Sequence, residues 1–160
     1  MPEIPTFDPA TWRQTHLGHW LRLSLEQFDA RVMTLMARHT AVPLGLANLV
    51  AREQVGAAHI HITRHLAAEG SRLTDLAHRA GMSKQAMGTL VNQCEAWGMV
   101  TREPDPTDAR ARQVRFTATG LAWLGAYRDA VAQAEAELRQ AVGDEVATVI
   151  TLGLEAYCSR

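Results

Sequence analysis

Lys84, Gln85, Thr89 and Asn92 recur at spacings that gather their side chains on one side of an α-helix, with Ser83 at its N-terminus. A hydroxyl, an ammonium and two amides in such a row have no base to activate a nucleophile. They suit the edges of nucleic-acid bases: Gln and Asn can bond adenine bidentately, Lys can meet guanine or phosphate, and Ser at a helix N-terminus can hold a phosphate. Gly88, in the same stretch, allows a close approach of the backbone. Further on stand Arg110 and Arg112 beside Asp108, and guanidinium groups on a hairpin tip fit a narrow minor groove where negative potential is enhanced.

Other reactive side chains point to less. Of the seven histidines, His59, His61 and His65 share one segment, but on a helix only His61 and His65 share a face. Without a carboxylate or thiol to complete it, that pair reads as polar surface and no metal is expected. The two cysteines, Cys94 and Cys158, lack the C-x2-C spacing of a metal site and are too few for a disulfide framework. Cys94 shares a face with Leu90 and Val91, which predicts a buried, unreactive thiol, whereas Cys158 should be exposed. No Ser/His/Asp order, Gly-rich phosphate loop or carboxylate pair appears, so neither an enzyme nor a cofactor is expected.

The elements that must position these groups follow from patterning. A chain of 160 residues, 47% hydrophobic and 21% charged, fits one ordered domain. Its apolar stretches fall short of the roughly 20 residues of a membrane span, and its start lacks the basic and apolar regions of a leader, so a cytoplasmic protein is expected. The net charge is −1, but seven basic residues face five acids between Arg72 and Phe116, and three face six from Thr117 onward. A basic middle and an acidic tail suggest one face for an anionic partner.

Leu17, Leu21, Leu25, Phe28, Val32, Leu35 and Met36 form the stripe of one long amphipathic helix over Thr11–His39, broken by Pro43 and Gly45. A short helix over Leu46–Glu53 and another over Ala57–Ala68, stopped at Gly70, follow. Thr74 and Ser83 read as N-caps of two helices over Leu73–Glu95, with Gly81 in the tight turn and Met82 beneath it. Beyond Gly98, the β-competent runs Met99–Arg102 and Gln113–Phe116 flank turn residues Pro104–Asp108. Helix-turn-helix and hairpin together predict a mainly α winged helix-turn-helix. Leu124, Tyr127, Val131, Ala134, Leu138 and Ala141 make a second seam, ended by Gly143, and Asp144 reads as the cap of a last helix bearing Val146, Val149, Ile150, Leu154 and Tyr157. These terminal stripes exceed what so short a chain can cover, which predicts a homodimer. The expected division is a reading lobe over 57–116 and dimerisation helices over 1–56 and 117–160.

The sequence resembles the multiple-antibiotic-resistance regulator (MarR) family of bacterial transcription factors. The likeness rests on Leu-Thr-Asp-Leu-Ala from Leu73, Gly-Met-Ser-Lys-Gln from Gly81 and Glu-Ala-Trp-Gly-Met-Val from Glu95. It rests above all on Asp-Ala-Arg-Ala from Asp108, continuing through Val114, Phe116 and Thr117 to Gly120, which is similar to the family's wing. It covers about Ile60 to Gly120. The resemblance implies a dimeric regulator of double-stranded DNA, a repressor released by a small aromatic or acidic effector. It implies that Asp108 orients Arg110, that Thr74 joins the DNA-contacting set, and that His16, His19, Trp20 and Arg38 line an effector pocket. Two departures stand out: residues 44–56 look like an insertion, and Cys94 replaces the family's usual leucine. The alternative, a winged-helix protein-interaction module without DNA binding, would dispense with the polar helix face and the wing arginines, both present here.

Overall fold

In the computed structural model, which describes residues 9–52, 54–56, 59, 62 and 64–159, two helices stand where one was expected over Thr11–His39. These are α1 (Pro9–Thr15) and α2 (Leu17–Met36). The break falls at His16, whose backbone is extended (φ −86°, ψ 156°) while its Nδ1 accepts the His19 N–H at 3.1 Å. The imidazole thus caps α2 as an asparagine would. Gly18 leaves it room, since a Cβ there would stand 3.2 Å from the same nitrogen.

Helix α3 (Leu44–Ala51) lies in the stretch that departs from the family pattern and buries Leu46 and Val50. The helix expected over 57–68 falls partly outside the described residues, Ala57, Ile60 and His61 among them; His59, Ile62, Arg64 and His65 are helical. A two-residue strand, β1 (Ser71–Arg72), leads into α4 (Leu73–Arg79), followed by α5 (Lys84–Ala96), β2 (Val100–Asp105), β3 (Asp108–Phe116), α6 (Ala118–Val142) and α7 (Asp144–Cys158). Ser83 caps α5 as expected, its Oγ accepting the Ala86 N–H at 3.1 Å, and Gly81 takes the left-handed conformation (φ +64°) that the turn demands.

Two expected caps are not caps. Thr74 lies inside α4, because Arg72 leaves β1 with extended backbone and is itself the N-cap. Asp144 lies in the first turn of α7, where its charge complements the helix dipole, and Gly143 at φ +89° joins α6 to α7.

The sheet is antiparallel in the order β1-β3-β2, with Ser71 opposite Val114 and Val100 opposite Phe116. Its hairpin strands are longer than expected and the turn contracts to Pro106 and Thr107. Pro104 fits within β2 because that strand is an edge, where a missing N–H disturbs no inner ladder.

Trp123, Met36, Ile62, Leu76, Met87 and Val91 anchor the core. Helix α6 turns Trp123, Ala126, Tyr127, Ala130 and Ala134 inward, so the seam expected through Leu124, Val131 and Leu138 is displaced: the first two are half-buried and Leu138 is exposed. Arg31 on α2 forms a two-pronged ion pair with Glu137 on α6, at 2.6 and 2.7 Å. Those bonds, with one from Gln133, hold the Glu137 carboxyl down at about 2. Trp12, Leu17, Leu25, Val149, Leu152 and Tyr157 remain more than half exposed, all on the terminal helices. Among the described residues no helix is long and apolar enough to cross a membrane.

Candidate nucleic-acid interface

Helix α5 is divided cleanly by burial. Met87, Val91 and Cys94 face the core, while Lys84, Gln85, Thr89 and Asn92 are exposed. Burial pushes the Cys94 thiol up to about 12, so it is protonated and inert at neutral pH, as its sequence position predicts. Cys158 is exposed. Gly88 is half-buried, and a Cβ there would meet only the Leu73 side chain, at 3.8 Å. The Thr89 hydroxyl donates to the Gln85 carbonyl at 3.2 Å, whereas the capping Ser83 oxygen accepts a backbone N–H and keeps its own proton to donate. Thr74 is exposed on α4.

Asn92 is not a free amide. Its Oδ1 accepts a hydrogen bond from Arg102 Nη2 on β2 at 2.6 Å, and Nη1 of the same guanidinium pairs with Glu95. One arginine thereby ties the hairpin to α5.

The hairpin displays Arg110 and Arg112, both exposed. Between the pairs Pro104–Arg112 and Asp105–Asp108 the register shifts, leaving residues 109–111 on β3 without counterparts. Such a bulge turns a side chain away from the regular pleat, and Arg110 sits within it. Asp108 acts on this arginine through the backbone: its Oδ1 accepts the Arg110 N–H at 3.1 Å, and its Oδ2 lies 3.7 Å from Arg72 Nη2. Its carboxylate shapes the bulge that carries Arg110.

Asp105 was not foreseen. Buried at the hairpin end, it accepts from Thr107 Oγ1 (2.7 Å), Thr107 N (2.8 Å) and Arg72 Nε (2.6 Å). These bonds, those of Thr107 first, hold its carboxyl well below the usual carboxylate range. The Asp-Pro-Thr run carries a local Asx-turn signal for half of this lock. Nothing local announces Arg72, which lies far earlier in the chain.

The four expected effector residues do not converge. His16 stacks on Trp12 and His19 lies edge-on to Trp20, each at 5.1 Å, in an exposed aromatic string along α1 and α2. Arg38 lines a separate cavity of about 660 Å³ between α2 and the segment after α3, with Glu26, Asp29, Met33, Val50 and Val55. Asp29 stands 3.6 Å from Arg64, whose Nη2 donates to the Tyr127 hydroxyl at 2.7 Å. His59 is a packing residue: buried, bonded to Gln93 at 2.6 Å and set against Trp97. Among the described residues no group of three potential metal ligands occurs.

Two crossed helices, the second exposing a polar face, followed by a bulged and arginine-bearing hairpin, define a winged helix-turn-helix protein. Residues 54–111 match the sequence profile of the MarR family. No curated protein matches the sequence. Among solved structures, the transcriptional repressor CouR bound to a 23-mer DNA duplex is similar over 97% of this chain and 100% of its own, with 18% identity and a TM-score of 0.68. MarR from E. coli, in its apo form, is similar over 88% and 96% respectively, with 21% identity and a TM-score of 0.64. CouR from Rhodococcus jostii RHA1 bound to p-coumaroyl-CoA is similar over 90% and 92%, with 17% identity and a TM-score of 0.64.

Proposed function

We propose that the chain is a sequence-specific, homodimeric, DNA-binding transcriptional regulator, a repressor released by a small effector. The observation that carries this reading is the exposed row Lys84, Gln85, Thr89 and Asn92 on α5, set beside a hairpin whose bulge displays Arg110. In the major groove, α5 would place its N-terminal residues against base edges, with Ser83 and Thr74 at phosphates, while Arg110 and Arg112 reach the adjacent minor groove. Residues 57–116 form the reading lobe. The helices in 1–56 and 117–160 pair with a second copy, which would cover the exposed apolar side chains of α1, α2 and α7.

The Arg38 cavity suits an effector with an apolar body and an acidic group: Met33, Val50 and Val55 supply the wall and Arg38 the cation. A DNA-bound and a ligand-bound CouR among the similar structures support both halves of the reading. None of these roles requires a catalytic group or a cofactor, and a regulator of this kind works in the cytoplasm.

The test is selection from a random duplex library with the purified chain. Enrichment of a dyad-symmetric site, with half-sites about one helical turn apart and two chains bound per duplex, is expected. Failure to enrich any sequence would overturn DNA reading in favour of a protein-interaction module.

A further inference from the structure

We infer that Arg102 is a positioning residue that fixes the direction of the Asn92 amide, so that Asn92 selects guanine rather than adenine. The inference rests on α5 being the DNA-reading helix. A guanidinium has donors only, so the atom facing it across 2.6 Å must be the amide oxygen; the usual ambiguity between amide oxygen and nitrogen does not arise. The fork is held on both sides, by Glu95 and by Asn92, three residues apart on one face of α5. Its root is held as well: Arg102 lies in β2 opposite Val114, and its carbonyl faces Arg112 Nη1 at 3.5 Å. The amide therefore has one orientation, with Oδ1 turned to the hairpin and Nδ2 turned away from it.

This orientation decides what Asn92 can read. Bidentate recognition of adenine needs the amide oxygen to accept from the N6 amino group while the nitrogen donates to N7. Here the oxygen already carries a short, charge-assisted bond, and the two N–H groups of Nδ2 are what the side chain presents outward. Two donors suit two acceptors, and in the major groove guanine offers O6 and N7 on one edge. Gln85, another exposed amide of α5, has no such clamp among the described hydrogen bonds and keeps both of its faces for adenine. The hairpin thus sets a base preference in the major groove that it does not itself touch.

The experiment is duplex selection with the wild-type chain and with Asn92→Ala, Arg102→Ala and Arg102→Lys, followed by titration of the enriched site carrying guanine, 7-deazaguanine or adenine at the position that Asn92→Ala relaxes. The wild type should prefer guanine there by about tenfold or more and lose much of that on 7-deazaguanine. Arg102→Lys can keep the Glu95 pair but cannot fork to Asn92 as well, so it should fold normally and relax the same position while leaving the Gln85 position unchanged. The double variant Asn92→Ala/Arg102→Ala should match Asn92→Ala at that position. A mere strut would lower affinity for all sequences alike. Adenine preference at the Asn92-dependent position, guanine preference retained in Arg102→Lys, or no position relaxed by Asn92→Ala would each overturn the inference. If the wild type enriches no duplex, DNA reading itself fails and the inference falls with it.

Discussion

Gly120 sits in the first turn of α6, where a Cβ would stand 2.0 Å from the Met99 carbonyl oxygen and 3.0 Å from Phe116 Cδ1. Such contacts essentially never fall under 3.0 Å, so Gly120→Ala must displace helix or strand by about an ångström. The carbonyl cannot easily yield, for it accepts the Thr117 N–H at 3.1 Å and lies 3.2 Å from Thr117 Oγ1, which also caps α6. Forced overpacking of this kind costs up to about 3 kcal/mol. Replacing a helical glycine by alanine returns about 1 kcal/mol. The net loss of about 2 kcal/mol should lower Tm by about 4–8 °C in a chain of this size. Gly88→Ala is the control, since its nearest neighbour is Leu73 Cδ2 at 3.8 Å and only the helix gain applies. It should raise Tm by about 2–4 °C yet weaken DNA binding, because the methyl group lies on the reading helix. Circular dichroism melts at one protein concentration give both signs, and fluorescence anisotropy with the selected duplex gives the affinity. A Gly120→Ala protein as stable as wild type would refute the close approach of α6 to Met99.

Arg110→Ala should weaken DNA binding and lower its salt dependence by about one counterion, with major-groove preferences intact in competition titrations. Asp108→Ala should also weaken binding, because the Arg110 backbone loses its acceptor; tighter binding, the simple electrostatic expectation for removing a negative charge, would show that the carboxylate does not shape the bulge. The Glu137 carboxyl lies at about 2 against an ordinary 4.5, so its pair with Arg31 stabilises the fold above about pH 4.5 and is lost as pH falls toward 2. Urea midpoints should fall through that window, and less steeply in Arg31→Met. A disulfide-exchange reagent at neutral pH should label Cys158 rapidly and Cys94 only after unfolding; fast labelling of both would contradict the burial of α5.

What could be read from the sequence is what the backbone demands locally. Gly81 and Ser83 announce the turn because a positive φ and a capping oxygen are properties of single residues, and Met87, Val91 and Cys94 announce the buried side of α5 by period alone. The break at His16 was hidden because imidazole rarely serves as a helix cap. The inward face of α6 was read only in part: Tyr127 and Ala134 are buried as expected, but Ala126 and Ala130 carry little hydrophobic signal, and they allow α2 to approach closely. The polar row of α5 was legible, but not that Arg102 occupies one of its amides. Nor was the lock of Arg72 on Asp105, since pairings between distant segments leave no mark in local sequence.

Helix α6 runs without interruption from the hairpin, where Thr117 caps it against Gly98 and Met99, to Gly143 at the far end of the chain's own core. At 1.5 Å per residue its 25 residues span about 37 Å. A rod of that length is a lever. A tilt of about 10° at the Gly143 end carries the hairpin end through about 6 Å, roughly half the width of a major groove. Along its buried face the rod carries Trp123 and Tyr127 toward the hairpin and small alanines further along, with the Arg31–Glu137 pair near the pivot. The spacing between two reading helices in a dimer would thus be gauged by one rigid element, and a small angular change at its distal end would suffice to put both out of step with the duplex.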